Sequence, residues 1–175
     1  MGTELDQTTH RPEWRDVIAQ VDAATPAALT YAANWDRFTE VPFWAQLDVI
    51  GIQAYFPLGK ERPDREDLSR AWSERMAALR TVHQQTGKHI VFTELGYPRL
   101  PVAASAPWTH GDDPAWEELQ LSLLDAALEA VAREPAVIGL FLWKWLPGER
   151  APRDFSMQGS AQRAVIAQRW RSPEP

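Results

Sequence analysis

Two carboxylates stand out by their position in this 175-residue chain. Glu94 ends the apolar run Ile90-Val-Phe-Thr-Glu94, and Glu4 lies next to the start. A carboxylate above an apolar stretch has a chemical role or an ion-pair partner, because an unpaired buried charge is costly. Glu4, so near the terminus, can equally be read as a helix cap. Polar and aromatic residues end the other apolar runs. Asn34 and Trp35 follow Leu29–Ala33, Tyr55 ends Val49–Tyr55, and Trp143 and Trp145 close Val137–Trp143. Two facing carboxyls can divide covalent hydrolysis between them, one as nucleophile and the other as proton carrier.

Other reactive residue types lack a supporting pattern. His10, His83, His89 and His110 have no metal-ligand spacing, and His83 and His89 read as surface residues at a helix-to-strand turn. Ser105 and Ser122 sit in no G-x-S-x-G elbow. Asp112 and Asp113 read as caps of the helix that follows them. Lys144, between two Trp, is read as facing a helix rather than as a cation–π partner. No metal and no cofactor is implied.

The elements that must hold the two Glu alternate between strand and helix. Leu29–Ala33, Val49–Tyr55, Ile90–Glu94 and Val137–Trp143 are apolar, rich in β-branched or aromatic residues, and read as parallel strands covered on both faces. Amphipathic stretches lie between them. Pro12–Ala23 opens with a proline and Asp64–Thr86 stops at Gly87; Asp113–Arg133 and Ser160–Trp170 complete the set. A further helix between the first two strands is left open. Such alternation means a parallel sheet with right-handed crossovers, either doubly wound or part of a closed barrel. No G-x-G-x-x-G or P-loop pattern follows a strand, which weighs against nucleotide binding. On strict alternation, a Glu94 that points into a barrel shares that face with Ile90 and Phe92, while Val91 and Thr93 face the helices.

Ninety residues separate the two Glu. A (β/α)₈ barrel of roughly 250 residues spends about 31 on each unit, so the spacing equals three units. With the final strand as the eighth, Glu94 ends the seventh and Glu4 the fourth, across the barrel mouth from each other. Retaining glycosidases place two carboxyls about 5–5.5 Å apart.

Composition narrows the classes. The net charge is −6, and the basic residues form no stripe with aromatics, so nucleic acid is not an expected partner. No stretch reaches the roughly 18 apolar residues of a membrane span. There is no Cys, which excludes disulfides and thiolate metal sites. The N-terminus shows no signal pattern, and because the natural start can lie upstream, the compartment is left unassigned. Nine Trp suggest either a Trp-rich core or flat faces for sugar rings.

Gly2-Thr-Glu-Leu5, Leu29–Trp35, Phe43-Trp44, Leu47–Leu58, Phe92-Thr-Glu-Leu-Gly-Tyr97, Phe141-Leu-Trp-Lys-Trp145 and Asp154–Gly159 together resemble glycoside hydrolase family 113. The resemblance runs over nearly the whole chain. It implies a retaining endo-β-1,4-mannanase of the clan that carries Glu after strands four and seven. On this resemblance Glu4 is the acid/base and Glu94 the nucleophile. Tyr55 donates a hydrogen bond to the nucleophile, Trp143 or Trp145 forms the sugar platform, and Asn34 and Trp35 line the cleft. Many clan members place Asn before the acid/base, where it binds the sugar 2-hydroxyl; here that position is Thr3.

The expected fold is therefore α/β, a partial (β/α)₈ TIM barrel from the end of strand four through helix eight. Residues 1–175 are read as one catalytic-domain fragment. The expected partner is a β-linked oligo- or polysaccharide. Four strands and a stub leave open sheet edges, so self-association is expected and the isolated chain is not expected to be a competent hydrolase. The rival reading is a non-catalytic carbohydrate-binding remnant. A barrel enzyme of another class, with Glu94 as general base, ranks last because no phosphate-binding Gly cluster follows the late strands.

Overall fold

The computed structural model describes residues 1–146 and 154–170. Four strands, β1 (Ala32–Asn34), β2 (Ile50–Gln53), β3 (Ile90–Leu95) and β4 (Val137–Leu142), form one sheet in sequential order. β1 and β2 pair in parallel, as do β2 and β3. The helices are α1 (Glu13–Ala24), α2 (Arg65–Thr86), α3 (Glu117–Ala132) and α4 (Ser160–Arg169). A sequential parallel order with a helical connection is the repeat of a β/α barrel.

Several elements differ from their expected bounds for local reasons. β1 begins at Ala32 instead of Leu29 because the Asp48 carboxylate takes the Leu29 N–H at 2.7 Å, in place of a strand ladder bond. Between β1 and β2 there are two short 3₁₀ turns, Phe38–Glu40 and Trp44–Gln46, and no α-helix. Pro42 separates them and cannot donate to a continuing helix. α2 stops as expected, with Gly87 at φ +68° donating its N–H to the His83 carbonyl. Asp113 caps the turn Pro114–Trp116 through the Ala115 N–H. Asp112 does not cap; its carboxylate grips the Arg99 guanidinium at 2.6 and 2.7 Å. An Arg fork matched to a carboxylate outcompetes a single backbone bond.

The chain divides into two compact units, whose boundaries cross α2, β3 and β4. The first comprises residues 1–54, 77–94 and 136–141. Its core combines Ala33, Ile50, Ile52, Ile90 and Phe92 from the strands with Leu79 and Val82 of α2. An aromatic group is added by Trp14, which stacks on Phe43 at 5.0 Å and meets Tyr31 edge-on at 5.5 Å. Ile138 and Phe141 on β4 are 60 and 67% exposed, so this strand presents bare apolar side chains. The second unit comprises residues 55–76, 95–135 and 142–175. Its core is built from Phe56, Leu68, Trp72, Tyr97, Leu123, Leu124, Leu128 and Phe155. α3 and α4 are joined there by Gln162, which donates to the Gln120 carbonyl oxygen at 2.8 Å, and by Arg169 on Asp125.

The Trp divide between the core and the surface. Trp44 and Trp72 are buried, whereas Trp108, Trp143, Trp145 and Trp170 are exposed.

Candidate functional site

The pairing of β2 with β3 decides which side chains share a face. Ile50 is opposite Ile90 and Ile52 opposite Phe92, and then the register slips so that Gln53 meets Glu94. Two residues of β3, Thr93 and Glu94, thus answer one step of β2, as at a β-bulge. Paired residues of a parallel sheet project to the same side. Ala33, Ile52 and Phe92 make one row, all fully buried. Asn34, Gln53 and Glu94 make the next, on the opposite face. Strict alternation had placed Glu94 with Ile90 and Phe92. The bulge corrects that: it turns Glu94 away from the apolar row and sets it beside Gln53.

Gln53 is the hub of this polar row. Its side chain is 3% exposed. Its Nε2 donates to the Thr3 hydroxyl oxygen at 2.8 Å and to Glu94 Oε1 at 3.1 Å. Its own carbonyl oxygen is buried without a protein partner among the described residues. Thr3 is drawn in by a parallel bridge to Ala32 of β1. Gln53 was not singled out from the sequence. The signal was there in Ile50-Gly-Ile-Gln53, where an amide closes an apolar strand.

Glu4 follows directly. Its N–H bonds the Ala32 carbonyl at 3.0 Å, and its backbone takes φ +52°. A non-glycine residue in the left-handed region is held there by its surroundings. Here the next N–H, of Leu5, is fixed by the Tyr31 hydroxyl at 2.8 Å. The Glu4 carboxyl is pushed above the usual range, first by burial and then by the negative charges of Glu94 and Asp6. Raising by Glu94 couples the two carboxyls electrostatically. Asp6, also missed in the sequence, accepts from Asn34 Nδ2 at 2.6 Å, and its other oxygen is buried without a described partner.

Thr3, Glu4, Asn34 and Glu94 thus belong to one unit; Gln53 bonds Thr3 and Glu94, Asp6 bonds Asn34, and the charges of Glu94 and Asp6 act on Glu4. Trp35 lies in the turn after β1, half-buried. Tyr55, Trp143 and Trp145 belong to the second unit. Tyr55 is buried and meets Phe155 edge-on at 6.1 Å. Trp143 and Trp145 are exposed. Lys144 Nζ lies 5.9 Å from the Trp143 ring centroid, so the cation–π contact replaces the expected helix-facing orientation. Among the described residues no group of three metal-ligating side chains is gathered.

A sequential parallel β/α arrangement with carboxylates at strand ends defines a fold class, the β/α-barrel proteins, whose strands end at a common mouth. The model of Glycoside Hydrolase Family 113 matches residues 1–161, and the chain belongs to that family. The β-mannanase AaManA from Alicyclobacillus acidocaldarius, solved with ManMIm, is 26% identical, with a TM-score of 0.79 over 96% of this chain and 53% of its own. A second solved β-1,4-mannanase of the family is 25% identical, with a TM-score of 0.80 over 96% of this chain and 54% of its own. A β-glucuronidase of an uncultured Clostridium, at 17% identity and a TM-score of 0.68, shares the fold. The chain spans about half the length of the mannanase structures it matches. Among curated proteins no match was found.

Proposed function

We propose that this protein is a retaining glycoside hydrolase that cleaves β-1,4-linked polysaccharide, with β-mannan as the substrate, through Glu94 and Glu4. The chain is read as part of one catalytic domain. In the first step Glu94 attacks the anomeric carbon while Glu4 transfers its proton to the leaving glycosidic oxygen. In the second, Glu4 takes a proton from water, whose oxygen displaces Glu94 and frees the sugar. The scheme calls for no metal or cofactor. Thr3 and Asn34 are assigned to sugar hydroxyls near this pair. Trp35, Tyr55, Trp143 and Trp145 are assigned to sugar binding and support.

The observation that carries this reading is the electrostatics of Glu4. The pKa of an acid rises when burial and like charges disfavour its ionised form, a direction that favours proton donation. All three influences on Glu4 act in that direction, and one of them is the proposed nucleophile. The family membership and the likeness to solved β-mannanases support the substrate class.

Stereochemistry tests it. The natural full-length protein is given β-1,4-mannohexaose, and the first-formed reducing end is followed by proton NMR. The expected initial product is the β-anomer. An initial α-anomer means single displacement and removes Glu94 from the nucleophile role.

A further inference from the structure

We infer that His83 and His89 form a binding site for one divalent transition-metal ion of the kind that favours imidazole, such as Zn²⁺, Ni²⁺ or Cu²⁺. The site is separate from the carboxylates and does not rest on their proposed chemistry. In the sequence the two residues have no metal-ligand spacing; the turn from α2 into β3 brings them together. Their ring centroids lie 5.3 Å apart, with the planes inclined at 30°. Two imidazoles that each give one nitrogen to the same Zn²⁺, at about 2.0–2.1 Å and a tetrahedral angle, put their centroids about 5 Å apart. The observed separation matches that arrangement.

Hydrogen bonding selects the nitrogen that His83 offers. Its Nδ1 lies 2.8 Å from the Lys88 carbonyl oxygen, which can only accept, so in the neutral ring Nδ1 carries the proton and Nε2 keeps its lone pair. A histidine whose second nitrogen is held by a backbone carbonyl is in the form that binds metal. The turn beneath is fixed as well. The Gly87 N–H bonds the His83 carbonyl at 2.8 Å, and the His89 carbonyl takes the Ile50 N–H of β2 at 2.9 Å. The Thr86 hydroxyl donates to the Val82 carbonyl at 2.8 Å and accepts the Lys88 N–H at 3.2 Å. Little order is left to lose on binding. His83 is half-buried and His89 exposed, so an ion reaches the pair from solvent. Among the described residues no third Asp, Glu or His joins them, which leaves the rest of the shell to water. Mg²⁺ and Ca²⁺, which take oxygen ligands, do not suit the pair. β3 runs from Ile90 to Leu95, so His89 stands before its start and Glu94 near its end, roughly 16 Å on at about 3.3 Å per residue. The ion ties the C-terminal end of α2 to the start of β3 and stabilises the first unit, because it binds the folded pair and not the unfolded chain.

The test is titration of the natural full-length protein with Zn²⁺ by calorimetry, beside His83→Ala, His89→Ala and the double variant. The parent should bind one Zn²⁺ more than the double variant does. Two ligands on one ion act through their effective concentration, so losing either ring should weaken that site by about tenfold or more. His89→Ala alone should therefore lose nearly as much as the double variant. Mg²⁺ should give no difference between parent and variants. Zn²⁺ should also raise the Tm of the parent and leave that of His89→Ala where it was. If His83→Ala fails to fold, His89→Ala decides, since His89 is exposed. Zn²⁺ binding by His89→Ala equal to that of the parent overturns the inference. So do losses that merely add, one weak site for each ring, because they describe two separate histidines. Long-range proton–nitrogen NMR gives a second check. It should find the His83 proton on Nδ1 and a Zn²⁺-induced shift at Nε2; a ring protonated on Nε2 instead, unmoved by Zn²⁺, overturns the inference as well.

Discussion

Two groups of carboxylates, one in each unit, are held in opposite ways. In the second unit, Asp125 and Glu129 meet Arg169 at 2.6 and 3.0 Å, and Glu129 also pairs with Arg65 and Arg133. The Arg169 hydrogen bond, helped by the charges of Arg169 and Arg65, holds the Asp125 carboxyl below the usual range against the opposing effect of burial. In the first unit, Glu4 is pushed up by burial, by Glu94 and by Asp6. One group of acids is neutralised by guanidinium and joins α3 to α4. The other meets amides and hydroxyls, and in it Glu4 feels the negative charges of Glu94 and Asp6. Carboxylates paired with Arg serve structure; carboxylates gathered with their own kind are suited to moving protons.

The comparison breaks first at Glu4. Glu4→Gln removes the proton donor, and kcat on mannooligosaccharides should fall by about 10²–10⁴-fold. The loss should shrink on aryl glycosides whose leaving groups need no proton. An equal loss on both substrates, measured by steady-state kinetics, would reduce Glu4 to a structural residue. A smaller effect belongs to Asp6. Its charge is one of the causes that raise Glu4, so Asp6→Asn should bring the Glu4 carboxyl back toward its ordinary range. Glu4 must be protonated to act, and the alkaline limb of kcat/KM should therefore move to lower pH. An unmoved limb would mean that Asp6 serves only to hold Asn34.

The smallest effect is expected in the second unit. Arg169→Leu should cost about 0.2–1 kcal/mol per ion pair lost, because these pairs are partly open to solvent, and should leave activity at saturation unchanged. The sign with pH follows from Asp125. Its folded-state pKa is depressed, so its contribution is present above the unfolded value and is lost as pH falls through the folded one. Thermal unfolding of parent and variant should accordingly converge below the usual carboxylate range. A gap that widened in acid would contradict the assignment.

How much of this was legible in the sequence depended on the kind of signal. The four strands and four helices announced themselves through apolar periodicity and through Pro and Gly, which act locally. Glu94 stood out because a carboxylate at the end of Ile90-Val-Phe-Thr is chemically conspicuous. The residues sharing its face were misread, since a one-residue slip between Ile52 and Gln53 is visible only in the pairing of two strands. Gln53 escaped notice for the same reason: a neutral amide carries no charge signal until a carboxylate is placed beside it. β1 was drawn too long because the Asp48 side chain, nineteen positions away, takes the backbone N–H of Leu29.

The central claim is that Glu94 forms a covalent bond to the sugar. The direct measurement is trapping with a 2-deoxy-2-fluoro-β-mannoside carrying a good leaving group. The fluorine slows both steps and the leaving group speeds the first, so the ester accumulates. After digestion, mass spectrometry of the natural protein should find one added fluorosugar on the peptide that contains Thr93-Glu94-Leu95, with the fragment ions placing it on Glu94. Attachment to another carboxylate, or an unlabelled protein under conditions where activity is lost to the reagent, would contradict the account.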